Sequence, residues 1–263
     1  MSVENKTVWI TGASSGIGEA LAYAMSERGA RLLLSSRNEA LLEEVRGRCT
    51  DPARHAVLPL DLADAASLPA MARQALEQMG DIDILVHSGG ISQRSLVKET
   101  SFDVDRRIMD VNYMGTVALT KAILPSMLAR GSGHFVPISS VVGKFGTPLR
   151  SAYAASKHAL HGFFDSLRAE LADEGIQVTL ICPGFVRTNV ANNALTGDAS
   201  PLGVTEGAAA GGMDARDCAD QIIKAMEAGR HEAYIGGREV LGVYAKRFFP
   251  RWFARMIGKV QVT

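Results

Sequence analysis

Short, almost uninterrupted apolar runs alternate along most of the chain with longer segments in which apolar residues recur at helical spacing. Runs that are hydrophobic throughout are typical of strands buried on both faces of a sheet. Repeated strand–helix–strand units with right-handed crossovers place helices on both faces of a parallel sheet. The pattern therefore predicts one α/β domain on a doubly wound parallel sheet of about seven strands. The predicted strands are residues 7–11, 31–35, 55–60, 83–87, 134–139, 177–181 and 232–236, and the predicted helices are residues 16–28, 38–48, 64–79, 101–130, 151–174 and 214–227.

Residues 189–213 interrupt this pattern with a segment rich in glycine, alanine and asparagine. Loops of this length are uncommon in compact domains unless they are functional or disordered. The segment follows the carboxyl end of a predicted strand, where ligands bind in open α/β sheets. We therefore expect a lid that covers the substrate, within a catalytic domain formed by residues 1–245.

Residues 246–263 form a tail that combines basic and aromatic side chains, with Pro250 where a short helix can begin. Two interpretations remain open. Through residues 246–259 the tail would lie on a membrane surface, or it would pack against the lid or a neighbouring subunit and bury the same aromatics. The neutral net charge of the whole chain and the shortness of the tail favour packing. The basic positions recur at every fourth residue: Arg247, Arg251, Arg255 and Lys259.

Composition narrows the class of protein. Of the 263 residues, 47% are apolar and 21% are charged, enough for a sizeable core, and the formal net charge is zero. That balance argues against binding to the phosphate backbone of nucleic acid. Three widely spaced cysteines (Cys49, Cys182 and Cys218), without a C-x-x-C pair, predict reduced thiols and neither a disulfide nor a metal site. The chain has no apolar run of ~18 residues and no leader-like start, so a cytoplasmic location is expected.

The stretch TGASSGIG, residues 11–18, lies where the first predicted strand ends and the first helix begins. Its glycines let the backbone turn tightly and approach a pyrophosphate at the helix N-terminus. A Walker loop is excluded, because no Lys-Ser or Lys-Thr follows. The alternative is a glycine-rich turn without a ligand. The positions expected to hold a dinucleotide are Gly12, Ser14, Ser15, Gly16, Ile17 and Gly18.

The end of the second predicted strand bears on the choice between NAD and NADP. A carboxylate there would hydrogen-bond the ribose of NAD, but residues 35–38 read Ser-Ser-Arg-Asn. Arg37, with Asn38 beside it, is suited to meet a 2′-phosphate through a charge-assisted hydrogen bond. The sequence therefore predicts NADP in preference to NAD. The alternative is that Arg37 is a solvated residue at the start of the next helix.

Tyr153 and Lys157 lie four residues apart in the stretch SAYAASKHAL, residues 151–160. On a helix this spacing places the phenol and the ammonium on one face, one turn apart. Taken alone, such a pair is most often an ordinary surface contact. Three further motifs, TGASSGIG, DVNYMG and ISS, change that interpretation.

Together with YAASK, these motifs have the order and spacing of the short-chain dehydrogenase/reductase family, in its single-domain form, which the chain resembles over about residues 5–237. The resemblance implies a Rossmann-type sheet, a nicotinamide cofactor, and the interconversion of alcohols and carbonyls. It also implies a homodimer or homotetramer. Ser140, and not the adjacent Ser139, lies thirteen residues before the tyrosine, as in the family. The catalytic set that the resemblance implies is Asn112, Ser140, Tyr153 and Lys157.

The resemblance also assigns cofactor contacts outside the glycine loop. After the fourth strand the family usually has N-N-A-G, and this chain has His-Ser-Gly-Gly at residues 87–90, which leaves Gly89 for a close approach to the cofactor. His87 is interpreted as a structural residue. Asp61 would hold the adenine or, alternatively, cap the following helix. The implied contacts are Asp61 and Leu62 at the adenine, and Pro183, Gly184, Val186 and Thr188 at the nicotinamide end.

In the reaction that the resemblance implies, hydride transfer to a carbonyl leaves negative charge on oxygen, and Tyr153 supplies the proton. A free phenol has a pKa of about 10, and the Lys157 ammonium one turn away is expected to lower it. Lys157 would also hydrogen-bond the nicotinamide ribose. Ser140 would donate to the substrate oxygen. Asn112 would hold a water that leads protons to solvent.

These residues predict an NADP(H)-dependent oxidoreductase that acts on a small-molecule carbonyl or secondary alcohol and needs no metal. Two other functions stay open. One is a cofactor-binding sensor or structural protein that does no chemistry. The other is an NAD-dependent sugar epimerase on a related fold, which usually has a longer chain. The substrate pocket is expected from residues 92–96, 141–150 and 189–213. An apolar pocket, and hence a lipophilic substrate of steroid, retinoid or fatty-acyl type, is predicted from Val141, Val142, Phe145 and Leu149.

Overall fold

The computed structural model describes residues 2–188, 194–203 and 211–259. The predicted lid falls only partly within these ranges, because positions 189–193 and 204–210 lie outside the described residues, as do the tail positions 260–263. No helix in the described ranges is long and apolar enough to cross a lipid bilayer.

Six parallel strands form the main sheet. They are β1 (Thr7–Thr11), β2 (Arg31–Ser35), β3 (Ala56–Val57), β4 (Ile84–His87), β5 (Gly133–Pro137) and β6 (Ile176–Val178). Their order is β3-β2-β1-β4-β5-β6, and Val8 of β1 pairs with Leu32 on one side and with Ile84 on the other. The strand order reverses between β1 and β4, which leaves a crevice at their carboxyl ends. The predicted doubly wound parallel sheet is confirmed.

Two further parallel strands, β7 (Leu180–Pro183) and β8 (Glu232–Ile235), form a second, two-stranded sheet, so the described residues have a six-stranded and a two-stranded sheet in place of the single predicted sheet of about seven strands. The second sheet meets the chain just after β5, where the Ser139 amide donates to the Ile181 carbonyl oxygen at 2.7 Å. The sequence predicts one strand over residues 177–181, but the structure divides it at Thr179 into β6 and β7. The Thr179 amide still donates to Phe135 at 3.0 Å, so the chain stays extended across the division.

The helices of the described residues cover both faces of the sheet. They are α1 (Gly16–Ser26), α2 (Glu39–Arg48), α3 (Leu68–Met79), α4 (Phe102–Met109), α5 (Gly115–Arg130), α6 (Ser151–Glu170), α7 (Ala215–Glu227), α8 (Leu241–Phe248) and α9 (Pro250–Ile257). Successive side chains of β1 enter opposite layers, as the two-residue period of a strand requires. Val8 and Ile10 pack with residues of α1, α2 and α7, whereas Trp9 packs with residues of α3, α5 and α6.

Two predicted helices have different bounds in the structure. The helix predicted at 64–79 begins only at Leu68, because two turns precede it, from Asp64 N to Asp61 O and from Ser67 N to Asp64 O, both 3.1 Å. The helix predicted at 151–174 ends at Glu170.

The helix predicted over residues 101–130 is divided by a π-helical turn, Asp110–Met114, between α4 and α5. Such wide turns are rare and often lie at functional sites. Gly115 follows the turn in contact with the third β–α loop, where an added Cβ would lie 2.1 Å from the Leu62 carbonyl oxygen. The turn carries Asn112, whose side chain is buried. The irregularity thus lies at a residue of the predicted catalytic set.

The C-terminal segment contains two helices where the sequence predicts one: α8 begins at Leu241, before the predicted tail, and α9 lies within the tail. α9 begins at Pro250, as predicted, and Phe249 before it has a non-helical backbone (φ −130°, ψ 56°), as expected before proline. Phe253 is buried against Phe145, with ring centres 5.2 Å apart. The inner face of the tail therefore packs on the loop after β5. Its outer aromatic side chains are exposed: Tyr244, Phe248, Phe249 and Trp252.

Candidate active site

A cleft of about 1050 Å³ opens at the carboxyl ends of the parallel strands. The cleft brings together the residues that the sequence predicts to bind the cofactor and those that it predicts to catalyse the reaction. Gly18 and Asn112 are the two predicted site residues outside its lining, and both lie directly behind it. The predicted residues in the lining are Gly12, Ser14, Ser15, Gly16, Ile17, Arg37, Asn38, Asp61, Leu62, Gly89, Ser140, Tyr153, Lys157, Pro183, Gly184, Val186 and Thr188.

The glycine loop packs so closely that side chains cannot replace two of its glycines. A Cβ on Gly12 would lie 2.6 Å from the Gly89 Cα, and one on Gly18 would lie 2.3 Å from the Gly12 carbonyl oxygen. Gly12 also has a φ of +66°, which side-chain-bearing residues rarely adopt. Ser15 precedes α1 in an extended conformation and makes no side-chain capping bond. The loop thus presents a helix N-terminus and serine hydroxyls to the cleft, an arrangement suited to an anionic ligand.

The residues after β2 and β3 line one end of this cleft. Arg37 is exposed at its mouth, whereas the Asn38 side chain caps α2 by accepting from the Leu41 amide at 3.1 Å. Asp61 accepts from the Ala63 amide at 2.9 Å and lies 3.7 Å from Arg107. Asp61 therefore stabilises the turn after β3 and does not cap α3, which begins later. The alternative interpretation of Asp61, as the cap of the following helix, is wrong.

The His-Ser-Gly-Gly turn at the end of β4 lacks the asparagines that the family usually has at these positions. Other side chains hold it in place. The Thr11 hydroxyl accepts from the Gly89 amide at 3.2 Å. Asn112 brackets Ile91, accepting from its amide at 2.8 Å and donating to its carbonyl oxygen at 2.9 Å. A Cβ on Gly90 would lie 3.1 Å from Asn112 Oδ1 and 3.6 Å from Lys157 Nζ. A glycine at this position lets the turn fit between these two polar side chains.

His87 is a structural residue, as predicted. Its ring is buried beside Phe135, and its Nε2 lies 2.9 Å from the Thr120 hydroxyl. Burial lowers the pKa of His87 to about 3, so the ring is neutral near physiological pH.

Tyr153 and Lys157 lie one turn apart on α6, with the Lys157 Nζ 5.6 Å from the centre of the phenol ring. Lys157 is buried and donates to the Ile138 carbonyl oxygen at 2.8 Å, and burial lowers its pKa to about 8. Burial raises the pKa of Tyr153. The largest charges that oppose this rise are Arg150 and then Arg94, followed by a hydrogen bond with Ser140. The sequence assigned that electrostatic role to Lys157.

Arg94 and Arg150 line the cleft. Both fall in segments that the sequence indicates as pocket-forming, residues 92–96 and 141–150, but sequence reasoning did not single out either arginine. Arg150 directly precedes α6, and its guanidinium carbon lies 5.9 Å from the centre of the Phe185 ring. Gln93, fully buried, fixes the segment that carries Arg94 by accepting from the Ala152 amide at 2.9 Å.

The apolar residues assigned to the predicted pocket do not line the cleft. Val141, Val142 and Phe145 are buried in a cluster with Phe253 of the tail, and neither they nor Leu149 belong to the described lining. The cluster is completed by side chains of α8 and α9, of which the sequence assigned only residues from 246 onward to a separate tail. The other two predicted segments do contribute to the cleft, through Arg94 and Leu195.

The Pro183–Thr188 segment is held by an acidic residue that the sequence did not reveal. The Gly184 amide donates to the Ile235 carbonyl oxygen at 2.8 Å. Glu239 Oε1 accepts from the Phe185 amide at 3.0 Å, and a Cβ on Gly184 would lie 2.0 Å from the same oxygen. The residue after Pro183 is therefore a glycine for reasons of space.

Comparison with known families decides the class of protein. A family model described as short chain dehydrogenase matches residues 6–199, which include the glycine loop and the Ser140, Tyr153 and Lys157 positions. The chain belongs to the short-chain dehydrogenase family. The single-domain form that the motifs indicated is confirmed, and this short-chain dehydrogenase is an oxidoreductase.

Similar proteins carry the same description. The "Dehydrogenase/reductase SDR family protein 7-like" of Anopheles gambiae is 50% identical over 230 residues, which cover 85% of this short-chain dehydrogenase and 73% of the relative. The "Dehydrogenase/reductase SDR family member 7" of Homo sapiens is 43% identical over 252 residues, which cover 93% and 74%. A solved short-chain dehydrogenase from Streptomyces avermitilis has a TM-score of 0.83 at 28% identity and covers 96% of both chains.

Two more distant solved structures share the fold. One, from Burkholderia cenocepacia, is a complex with NADP, with a TM-score of 0.81, 23% identity, and coverage of 98% of this chain and 99% of that one. The other, from Burkholderia phymatum, is a complex with NAD, with a TM-score of 0.82, 23% identity, and coverage of 100% and 99%.

Proposed function

We propose that this short-chain dehydrogenase interconverts a carbonyl and a secondary alcohol with a nicotinamide cofactor, and that NADP(H) is preferred. The observation that carries the proposal is a single cleft lined both by the glycine loop and by Ser140, Tyr153 and Lys157. The donor set suits a dinucleotide, because it combines a helix N-terminus with serine and threonine hydroxyls and with basic side chains. Solved proteins of this fold hold NADP in one case and NAD in another.

The chemistry that the nicotinamide supplies when bound is the transfer of a hydride to or from the substrate carbon. In the reductive direction, the carbonyl oxygen gains negative charge, and the Tyr153 phenol gives it a proton. The Ser140 hydroxyl lines the same cleft, where it donates to the Pro183 carbonyl oxygen at 3.2 Å, and it would turn to the substrate oxygen to orient it. Arg150 and Arg94 are the largest charges that favour the phenolate that remains, and the Lys157 ammonium, 5.6 Å from the ring centre, adds to them and is available to the cofactor ribose.

Asn112 has a positioning role in this proposal. Its carboxamide is engaged by the Ile91 backbone and by Ser156 (3.0 Å), which fixes the turn that contains Gly90 beside Lys157. The further role of Asn112, holding a water on a proton path from Lys157, stays a prediction.

NADP is preferred in this proposal because of Arg37. This exposed guanidinium follows β2 at the mouth of the cleft and makes no hydrogen bond or ion pair with the described residues. No carboxylate stands between Ser35 and Asn38 to bind a ribose or to repel a 2′-phosphate.

A lipophilic carbonyl substrate is also part of the proposal. It now rests on other residues than the four that the sequence assigned to the substrate pocket. Ile91, Phe185 and Leu195 give the reaction end of the cleft apolar surface, while Arg94 and Arg150 add positive charge there. Neutral steroid, retinoid and acyl-type ketones should therefore be compared with ketones that carry a carboxylate.

An NADPH oxidation assay with this carbonyl panel tests the proposed reaction. Turnover that requires both NADPH and a carbonyl supports it. Binding of NADPH without turnover of any ketone or aldehyde would instead support a sensor of the same fold. Interconversion of sugar epimers without net cofactor oxidation would support the epimerase.

The cellular setting is likewise proposed and not established: a cytoplasmic homodimer or homotetramer, with the tail in contact with another subunit or with a membrane. The exposed aromatics of the tail surround a recess of about 540 Å³, lined by Tyr244, Ala245, Phe248, Phe249 and Trp252. Co-sedimentation with anionic liposomes and size measurement, for the full chain and for a chain ending at Val243, separate the two. Salt-sensitive liposome binding by the full chain alone supports the membrane, and loss of the oligomer on truncation supports subunit packing.

A further inference from the structure

Three side chains with metal-ligating atoms meet outside the cleft, although they are far apart in the sequence. His161 comes from α6, Cys182 from β7 and Glu232 from β8. His161 Nε2 lies 3.7 Å from Cys182 Sγ, which lies 3.8 Å from Glu232 Oε1. One ligand atom from each residue falls within 4.8 Å of the other two. His161 and Cys182 are buried, and Glu232 is partly buried.

These separations are those of atoms that share one metal ion. Two sides of this triangle are 3.7 and 3.8 Å, and with a third side of up to 4.8 Å the point equidistant from the three atoms lies about 2.2–2.4 Å from each. Zinc binds cysteine sulfur at about 2.3 Å, and histidine nitrogen and carboxylate oxygen at about 2.0–2.2 Å. We propose that His161, Cys182 and Glu232 form a binding site for a zinc-like divalent cation. The proposal is independent of the proposed reaction.

The surroundings of the triad resemble the outer shell of a metal site. Lys144 Nζ donates to Glu232 Oε2 at 2.9 Å, which directs Oε1 toward the thiol. The second ring nitrogen of His161, Nδ1, is buried without a hydrogen-bond partner among the described residues, and it lies 3.9 Å from Glu232 Oε2. In metal sites the second ring nitrogen of a ligating histidine usually donates to an outer-shell acceptor, and the described residues offer no such acceptor within hydrogen-bond distance of this one. The Ser139 hydroxyl, 3.0 Å from His161 Nε2, is the oxygen next to the triad.

The charge balance suits a divalent cation. Binding replaces the thiol proton of Cys182 by the metal, and the proton leaves to solvent. The resulting thiolate and the Glu232 carboxylate supply two negative charges, the second of which is shared with the Lys144 ammonium, and neutral imidazole supplies the third ligand. The side chains of Glu232 and Lys144 are each 25% exposed, so the cation can reach the site without unfolding of the sheet.

The site would lie next to the catalytic residues. The Ser139 hydroxyl contacts both His161 and the backbone of Lys157, whose carbonyl oxygen it approaches at 3.2 Å. A bound cation would tie α6 to β7 and β8 behind the cleft. The expected effect is therefore on stability, with a readout that does not depend on turnover.

Cobalt(II) tests the site, because a cobalt–thiolate bond has its own near-ultraviolet absorption band. Tag-free protein, treated with a chelator, is titrated with Co²⁺ and then with Zn²⁺. The proposal predicts one Co²⁺ per chain with a thiolate band, displaced by one Zn²⁺. Cys182→Ala should abolish the band. Cys218→Ala, which removes another buried cysteine in α7, should retain it. Absence of the band in the wild type, or its persistence in Cys182→Ala, overturns the proposal.

Thermal unfolding provides the second measurement in case a variant folds poorly. At Zn²⁺ concentrations about 100-fold above the Kd, Tm of the wild type should rise by about 5–10 °C. Glu232→Gln keeps the shape of the side chain but removes its charge, and it should lose most of this rise. An equal rise in the wild type and Glu232→Gln, or no rise at millimolar Zn²⁺, would mean that the triad is only a hydrogen-bonded network.

Discussion

The Lys157 ammonium lies 5.6 Å from the centre of the Tyr153 ring and is held there by a 2.8 Å hydrogen bond to the carbonyl oxygen of Ile138. The spacing on α6 brings the two side chains together, and the end of the neighbouring sheet fixes the ammonium. The pair therefore depends on both helix and sheet.

Lys157→Ala should damage turnover and cofactor affinity together. The ammonium is proposed to stabilise the phenolate and to hold the cofactor ribose. Its removal should therefore lower both kcat and the affinity for NADPH. We expect a fall in kcat of at least about 100-fold and a clear rise in the NADPH Kd. Lys121→Ala, on the exposed surface of α5, is the control. Unchanged NADPH affinity in Lys157→Ala would remove the ribose contact from the account.

Arg37→Ala should reduce the preference for NADP(H). A charged hydrogen bond to the 2′-phosphate is worth about 1.5–3 kcal/mol, or roughly ten- to a hundred-fold in affinity. The measurement is the ratio of kcat/KM for NADPH and NADH in the wild type and in Arg37→Ala, with the exposed Arg73→Ala of α3 as control. Equal use of both cofactors by the wild type contradicts the proposed preference.

Arg150→Gln should shift the pH dependence of alcohol oxidation. Arg150 is the largest charge that lowers the pKa of Tyr153, so its loss raises that pKa further. Since oxidation requires the phenolate, the rise of kcat/KM with pH should move to higher pH. Arg107→Gln, which lines the other end of the cleft beside Asp61, should leave the profile in place. Matching profiles for the wild type and Arg150→Gln would show that Arg150 does not act on the phenol.

Acid should destabilise the fold through its buried histidines, among which His87 and His134 lie outside the proposed metal site. Burial lowers the pKa of His87 to about 3 and of His134 to about 4, against about 6.5 in the unfolded chain. The free energy of unfolding therefore has its full value above pH 6.5 and declines toward pH 4. In that range these histidines bind protons in the unfolded state but not in the folded state. Within that window His87→Gln should reduce the pH slope of the unfolding free energy by about 1.4 kcal/mol per pH unit. The exposed His158→Gln serves as control, and an unchanged slope in His87→Gln would count against a neutral buried ring.

The parts of the structure that were predictable from sequence are those encoded locally. Continuous apolar runs gave the parallel sheet, and the glycine loop and the Tyr153–Lys157 spacing depend on residues close together in the chain. Gly18 illustrates this, because the oxygen that excludes its Cβ belongs to Gly12, six positions earlier.

What sequence reasoning missed depends on contacts between distant segments. The sequence indicates the segments of Arg94 and Arg150 as pocket-forming, but not the hydrogen bond from the Ala152 amide to buried Gln93 that joins them. Phe145 was assigned to a substrate pocket, but Phe253, more than a hundred residues later, covers it. The π turn at Asn112 lies beside Gly115, which packs closely on Leu62, and no local pattern reveals either feature.

Tyr153→Phe tests the central claim most directly, because it removes one hydroxyl and keeps the ring. The account predicts that NADPH-dependent carbonyl reduction falls by at least about 100-fold, while NADPH affinity measured by titration stays within about two-fold of wild type. Retention of more than about a tenth of the wild-type rate would contradict the assignment of Tyr153 as the proton donor.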